Sequence, residues 1–258
     1  HEELLMEVGG AELLLSLELK APAETSRRST CVDLKDLGLS LWGTKRHDRC
    51  SPSTAVVVGA GLLGSAVALN LARNGVQVTV LDRLDDTVAG DATRASWAWI
   101  NANQKYPLPY RLLNQLGMEA WRRDMIISHL PDWKGALVRF GETLKNDGGY
   151  SCEGPLSVQR LMELDPQASL SQSDGFVYYF PEEGSVDPVD ATNTMRRAAK
   201  DLGVIFFGGQ NITGVLRDPN DRINGVVSGS STFMTDVIIA AAGIGVASPV
   251  LGGLPLLH

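Results

Sequence analysis

The clearest pattern of hydrophobic and polar positions lies between Thr54 and Arg83. A short apolar run, Ala55 to Val58, leads into a glycine-rich turn and then into an alanine- and leucine-rich stretch that ends at Asn74-Gly75. A second apolar run covers residues 76–81. This order predicts a buried strand, a tight turn, a helix and a second buried strand.

The glycines of the turn each permit something that a side chain would prevent. Gly59 permits the tight turn, Gly61 lets a pyrophosphate approach the backbone, and Gly64 lets the helix pack closely on the strand. The helix that begins near Leu62 would present free N–H groups and its positive dipole end to phosphate. Asp82 follows the second strand, where a carboxylate can accept hydrogen bonds from a ribose. The pattern predicts a dinucleotide-binding βαβ unit; the alternative is an ordinary α/β crossover.

Later patterns predict a helix over residues 110–130, with Leu113, Leu116 and Ala120 on its apolar face, and a shorter helix over residues 157–164. The last quarter predicts a helix, a small β-meander and a returning strand. The remaining predicted elements are a helix at residues 190–202 and strands at 175–180, 204–207, 211–216, 223–227, 232–234 and 237–241.

Composition narrows the class of protein. The chain has 258 residues, of which 44% are hydrophobic and 21% charged, as in ordinary soluble globular proteins. The formal net charge of −7 argues against a nucleic-acid partner. No apolar run approaches the ~20 residues of a membrane helix, so no transmembrane segment is expected. Cys31, Cys50 and Cys152 have no metal-ligand spacing, which predicts no metal site and a reducing compartment.

Residues 1–53 precede the predicted nucleotide fold as an extension and linker. Residues 1–50 carry 7 basic and 9 acidic residues and a leucine-rich patch, Leu13 to Leu19. They lack the apolar core of a signal peptide and are too acidic for an intact transit peptide. Two interpretations stay open: a segment left after import into a plastid or mitochondrion, or a docking arm or tail of a cytoplasmic protein. Ala21 to Thr30 is typical of a linker.

Three blocks of sequence in register resemble the FAD-dependent oxidoreductases of the D-amino-acid oxidase and glycine oxidase family. The blocks are GAGLLG with VTVLDR; GDATRASWAWINAN at residues 90–103; and EEGSVDPVDATNTMRRAAKDLGVIF with NITGV, INGVV and TDVIIAAAG. The resemblance covers about residues 54–250. It implies an α/β fold in which a Rossmann-like FAD/NAD(P)-binding domain is interleaved with an α+β substrate domain, C-terminally incomplete in this chain.

The resemblance also implies domain boundaries and the cofactor. FAD-binding parts at residues 54–105 and 186–250 would flank a substrate or cap part at 106–185, with a truncated end at 251–258. FAD is favoured over NAD because a loop, long helices and a late meander follow Asp82 in place of further βα units.

Cofactor-binding residues are carried over from the matching motifs. Thr93 and Arg94 suit phosphate oxygens, although a surface salt bridge is an equal alternative for Arg94. Ile212 would contact adenine through its backbone, and small residues would let the returning strand pass the cofactor. The full predicted set is Gly59, Ala60, Gly61, Leu62, Gly64, Asp82, Arg83, Thr93, Arg94, Ala95, Ile212, Ala242 and Gly243.

The run from Trp97 to Asn103 allows two interpretations. Alternation could direct Trp97 and Trp99 to one side and place the asparagines near a flavin or substrate, but packing of both tryptophans between the two domains is favoured. The roles of Asn101 and Asn103 stay open.

The resemblance implies oxidation of the C–N bond of an amino acid or secondary amine, with a hydride passing to flavin. No catalytic residue is assigned, because the family's carboxylate-binding groups lie on later segments. We therefore expect a chain ending at His258 to be inactive by itself. The alternative is a non-catalytic accessory or scaffold subunit of a larger assembly, docked on partner chains through its N-terminal arm and open C-terminal edge.

Overall fold

The computed structural model describes residues 3–8, 11–16, 53–85, 90–144, 150–168, 175–247 and 250. The chain divides into two compact units, His1–Ser51 and Pro52–His258. In the first unit, strands β1 (Glu3–Val8) and β2 (Ala11–Ser16) form an antiparallel hairpin. Strand β2 takes up part of the leucine-rich patch, for which no strand was predicted. The predicted linker at 21–30 and the end at 251–258 lie outside the described residues.

The second unit contains the other elements. In chain order they are β3 (Thr54–Val58), α1 (Leu62–Arg73), β4 (Gln77–Leu81), α2 (Asp91–Arg94), β5 (Trp99–Ile100), α3 (Leu108–Arg123), β6 (Ala136–Phe140), α4 (Val158–Leu164), β7 (Phe176–Phe180), β8 (Gly184–Ser185), α5 (Pro188–Asp201), β9 (Ile205–Phe207), β10 (Ile212–Arg217), β11 (Ile223–Ser228), β12 (Ser231–Met234), β13 (Val237–Ala240) and a 3₁₀ turn (Gly243–Ala247).

A four-stranded parallel sheet forms the centre of this unit, in the order β13-β3-β4-β9. Strand β3 is apolar and buried from Ala55 to Val58 because both faces of the sheet are covered. Ala55 and Val57 pack in the core built with α1 and α5. Val56 and Val58 pack on the opposite face with Val226 of the antiparallel meander β10-β11-β12. The predicted parallel α/β core is therefore observed.

Helices α1 and α5 pack against each other beside the sheet. Helix α5 begins at Pro188, two residues before the predicted start at residue 190, because Asp187 accepts hydrogen bonds from the N–H groups of Val189 and Asp190, at 2.8 and 2.9 Å. It ends before Gly203, which has φ +89°. Helix α1 ends in the same way before Gly75, with φ +81°.

Helix α3 is shorter than predicted and buries a different face. It ends at Arg123 instead of continuing to residue 130. The reason is Asp124, which adopts an extended conformation while its carboxylate accepts from the Ile126 N–H at 2.9 Å. Leu113, predicted to lie on the buried face, is 65% exposed, whereas Arg111 is buried.

Two small strand pairs were not predicted. Strand β6 pairs antiparallel with β7, and β5 pairs with β8. Strand β7 lies within the predicted strand at residues 175–180, but β5, β6 and β8 were not predicted. Each of these three is short and its partner lies far along the chain, so local periodicity carries little signal for them. None of the helices in the described parts of the chain is long and apolar enough to cross a membrane.

Candidate functional site

A cleft of about 660 Å³ lies where the parallel strands end. Gly59 follows β3, Asp82 follows β4 and Ala241 follows β13, and all three residues line the cleft. Ligands of open α/β sheets bind outside the carboxyl ends of the strands, which is the position of this cleft.

The glycine turn is shaped by contacts that exclude side chains. Gly59 has φ +107°, and a Cβ placed there would lie 2.7 Å from the carbonyl carbon of Ala241. A Cβ on Gly64 would overlap the carbonyl oxygen of Gly59. The turn is anchored by the Gly59 N–H, which donates to the Leu81 carbonyl at 2.7 Å. Gly59 and Gly64 are therefore required by the close approach of β3, α1 and the segment after β13.

Asp82 is half-buried and holds two backbone segments together. Its Oδ2 accepts from the Ala60 N–H at 2.6 Å, and its Oδ1 accepts from the Leu84 N–H at 2.8 Å. An ionised carboxylate has about four lone-pair sites, so it can accept further hydrogen bonds from a ligand.

Thr93 lies beside the N-terminus of α1. Its Oγ1 accepts from the Leu62 N–H at 3.2 Å, and a Cβ on Gly61 would lie 3.3 Å from the same oxygen. A hydroxyl that accepts a hydrogen bond still has its own proton to donate. Thr93 thus brings a second donor to the place where α1 directs its N–H groups.

The structure brings most of the predicted site residues together. Those that line the cleft are Gly59, Gly61, Leu62, Asp82, Arg83, Thr93, Ile212, Ala242 and Gly243. Ala60 is a buried residue of the turn itself, and Gly64 packs against the Gly59 end of the same turn. Arg94 and Ala95 are exposed and are not among the residues of the cleft wall.

Sequence reasoning missed several residues of the site. Gln210 and Asn211 line the cleft, and the Gln210 N–H donates to the Asp82 carbonyl at 2.7 Å. Their sequence signal is a polar pair at the start of the strand predicted at residues 211–216. Arg196 was missed too: it is buried in α5, and its Nε donates to the Ala60 carbonyl at 3.0 Å. The sequence signal that could have identified Arg196 is its position next to Met195 on the buried side of α5.

A second polar cluster surrounds Glu183, which is fully buried and is not among the cleft residues. Its carboxylate accepts from the N–H of Asn103 at 3.0 Å, from the Asn103 Nδ2 at 2.8 Å and from the N–H of Ala102 at 3.2 Å. The Tyr150 hydroxyl also donates to it, at 3.0 Å. Burial, and then the charge of Glu183, raise the pKa of Tyr150, which keeps its hydroxyl protonated as a donor. Asn103, whose role the sequence left open, is part of this cluster.

The expectation that both tryptophans are packed away is wrong. Trp97 is 91% exposed and Trp99 is 39% exposed. The segment is held by its backbone instead: β5 pairs with β8, and the Val186 N–H donates to the Ala98 carbonyl.

The cleft residues fit a dinucleotide such as FAD. A turn without side chains, a helix N-terminus and a hydroxyl suit a pyrophosphate, and a carboxylate on the same wall suits a ribose. The volume falls within the ~300–1,000 Å³ that small-molecule sites usually have.

Comparison with known proteins gives partial matches along the chain. It is 25% identical over 211 residues to the tRNA 5-methylaminomethyl-2-thiouridine biosynthesis bifunctional protein MnmC of Hydrogenovibrio crunogenus, a match that covers 75% of this chain and 30% of the relative. The fold is similar to that of L-proline dehydrogenase from P. horikoshii, with a TM-score of 0.60, 21% identity, and coverage of 75% of this chain and 53% of the other. Glycine oxidase from Geobacillus kaustophilus gives a TM-score of 0.59 at 18% identity, covering 78% of this chain and 58% of the other.

The chain therefore spans about a third of the length of that curated relative and just over half of those two solved chains. The family model described as FAD dependent oxidoreductase (DAO) matches residues 54–257, which is most of the chain. The protein belongs to the DAO family of FAD-dependent oxidoreductases.

Proposed function

We propose that this protein uses FAD to oxidise the C–N bond of an amino acid or a secondary amine. The observation that carries the proposal is the cleft at the strand ends, where the glycine turn, the N-terminus of α1 and the Asp82 carboxylate converge. The amine substrate class rests on the solved neighbours, whose names are L-proline dehydrogenase and glycine oxidase.

The composition of the cleft wall supports the proposed domain division. Its described residues come from the segments 58–96 and 188–246. These segments fall within the two parts expected to bind FAD, residues 54–105 and 186–250. Among the residues that the structure describes, none from 106–185 lines this cleft, which is consistent with a separate substrate or cap role for that stretch.

Each group on the wall is proposed to hold one part of the cofactor. The Gly61 N–H and the Thr93 hydroxyl would bind the pyrophosphate, and the Leu62 N–H, which donates to Thr93 Oγ1, would hold that hydroxyl in place. Asp82 would accept from the adenosine ribose through the lone pairs that its backbone partners leave. Ile212 would contact adenine through its backbone, and Ala242 with Gly243 would let the chain pass close to the cofactor.

Bound FAD would supply the two-electron oxidation, in which the carbon beside the amine nitrogen loses a hydride to the flavin and the nitrogen loses a proton to solvent, so that an imine results. The residues described here bind and orient. We assign no catalytic side chain.

Anaerobic reduction tests the proposal. The natural full-length protein, isolated with its flavin, is mixed with glycine, L-proline or sarcosine, and the flavin absorbance near ~450 nm is followed. Loss of that absorbance with at least one amine is the expected result. Bound FAD that no amine reduces would contradict the enzymatic proposal and favour the accessory-subunit interpretation.

A second candidate substrate follows from the match to MnmC, whose name concerns a methylaminomethyl group on a tRNA nucleoside. That group is itself a secondary amine, so the same oxidation would apply to an amine carried by RNA. The formal net charge of −7 weighs against a broad RNA-binding surface. Reduction of the flavin by a tRNA carrying such an amine, but not by free amino acids, would favour this candidate.

A further inference from the structure

The carbonyl group of Ala60, at the centre of the glycine turn, accepts hydrogen bonds from two buried side chains. Arg196 of α5 is 3% exposed; its Nε donates at 3.0 Å, and its Nη2 donates to the same oxygen. Ser65 of α1 is fully buried and donates through its Oγ at 3.2 Å. Neither Arg196 nor Ser65 is among the proposed cofactor contacts.

The direction of this carbonyl decides the direction of a neighbouring donor. In a trans peptide the C=O of one residue and the N–H of the next point to opposite sides. Because the Ala60 carbonyl points to Arg196, the Gly61 N–H points away from it. Gly61 lines the cleft, so its N–H is directed to the side where a phosphate would lie.

The preceding peptide group is held as well. The Ala60 N–H donates to the Asp82 carboxylate at 2.6 Å. Two consecutive peptide groups of the turn are therefore oriented by the side chains of Asp82, directly after β4, and of Arg196 in α5, which lie 22 and 136 residues away in sequence. Loss of Asp82 would release the first peptide group, and loss of Arg196 would leave the second held by the Ser65 hydroxyl alone among the described side chains.

The guanidinium also brings a buried positive charge behind the turn. Surroundings of low dielectric screen such a charge poorly, so it favours an anion on the cleft side of the same turn. A hydrocarbon side chain of similar length would fill the space but would neither orient the carbonyl nor attract the phosphate.

We propose that Arg196 is a positioning residue that directs the Gly61 N–H at the pyrophosphate of the cofactor. It sets the affinity for the phosphate part of the ligand and leaves the affinity for the adenosine part unchanged. This inference rests on the proposed FAD site, and it adds a residue outside the cleft wall to that site.

The experiment compares two ligands that differ only in phosphate, ADP and adenosine, by calorimetric titration of the full chain. We expect Arg196→Met to weaken ADP binding by about tenfold, the value of one charge-assisted hydrogen bond, while adenosine binding changes by less than about twofold. Arg196→Lys keeps the charge and one donor, so it should restore ADP affinity to within about threefold of wild type. The affinity for FAD should change between the variants in the same way as the affinity for ADP.

Arg197→Met is the matched control. Arg197 is the next residue of α5 and carries the same charge, but it is exposed and donates to Thr194. The Arg197→Met variant should bind ADP and adenosine as wild type does. If it weakened ADP binding as much as Arg196→Met, net charge alone would explain the result and the proposal would be wrong.

Equal losses of ADP and adenosine affinity in Arg196→Met, or no loss of either, would overturn the inference. If Arg196→Met does not fold, Arg196→Gln takes its place, because a glutamine loses the charge and cannot make both hydrogen bonds to the Ala60 carbonyl. A ratio of ADP to adenosine affinity equal to wild type in that variant contradicts the inference. Wild-type protein that binds neither ADP nor FAD would instead overturn the proposed function, and this inference with it.

Discussion

Two carboxylates in the second unit, Asp82 and Glu183, have similar partners and different surroundings. Both accept hydrogen bonds from backbone N–H groups of a loop. Asp82 is half-buried on the wall of the cleft, whereas Glu183 is fully buried and is surrounded by the donors of Asn103, Ala102 and Tyr150.

This difference separates a binding group from a structural one. A carboxylate on a cleft wall with acceptor sites left over can serve a ligand. A carboxylate whose acceptor sites are filled from within the protein stabilises the fold, and its removal leaves buried donors without partners. The two regions should therefore respond to mutation in opposite ways, one in ligand affinity and the other in stability.

The largest expected effect is on stability, when glycine is replaced by alanine in α1 beside the cleft and, for comparison, in α3. Gly64→Ala should destabilise the protein by about 3 kcal/mol or more, because its Cβ would overlap the anchored Gly59 carbonyl. Gly117→Ala in α3 should stabilise it by about 0.5–1 kcal/mol, because nothing lies within 4 Å of the added Cβ. Urea denaturation measures both. Equal effects would contradict the tight packing of α1 on the glycine turn.

Glu183→Gln should cost about 1–3 kcal/mol of stability, because an amide cannot accept from all the donors that face this position. The melting temperature should fall by about 2–4 °C for each kcal/mol. FAD affinity should be unchanged. Glu182→Gln is the matched control, since Glu182 is the exposed neighbour. Loss of FAD affinity in Glu183→Gln alone would mean that this cluster also belongs to the binding site.

Asp82→Ala should weaken FAD binding by at least about tenfold, if each hydrogen bond to the charged carboxylate contributes ~1.5–3 kcal/mol. The measurement is the flavin content and the dissociation constant of purified protein, with Glu183→Gln as the reciprocal control. Undiminished flavin binding in the Asp82 variant would remove the distinction between the two carboxylates.

The smallest expected effect concerns Asp236, which joins the starts of β3 and β13. Its Oδ2 accepts from the Ser53 hydroxyl at 2.8 Å and from the Thr54 N–H at 2.9 Å. These hydrogen bonds, that of the Ser53 side chain first, lower the pKa of Asp236 below its ordinary value of 3.8. Its contribution to stability is therefore present above pH 3.8 and is lost as the pH falls through the lowered pKa.

The difference in melting temperature between wild type and Asp236→Ala should accordingly shrink as the pH is lowered below 3.8. Glu142→Gln, at an exposed position, serves as the control for a general charge effect. A difference that stays constant over the whole pH range would show that the hydrogen bonds of Asp236 do not depend on its ionisation.

The helix and strands around the glycine turn were predicted more accurately from the sequence than helix α3 and the short strands β5 and β8. The predicted helix begins at Leu62 and ends at Arg73 as observed, because its start, its apolar stripe and its terminal glycine are all local signals. Helix α3 was misjudged because its end depends on Asp124, which also bonds Arg73 of another helix at 2.7 Å. The short strands β5 and β8 exist only because they pair with each other.

The sequence by itself determined the order strand, glycine turn, helix, strand and acid, and with it the expectation of an FAD site. All of those signals lie within about thirty residues, where chain geometry already limits the alternatives. The tertiary structure decided which carboxylate borders a cleft and which is enclosed. It also placed Arg196 behind the Ala60 carbonyl, 136 residues away, and Glu183 beside Asn103, 80 residues away. Such contacts depend on how helices and strands pack, because no local pattern specifies a hydrogen bond between segments so far apart.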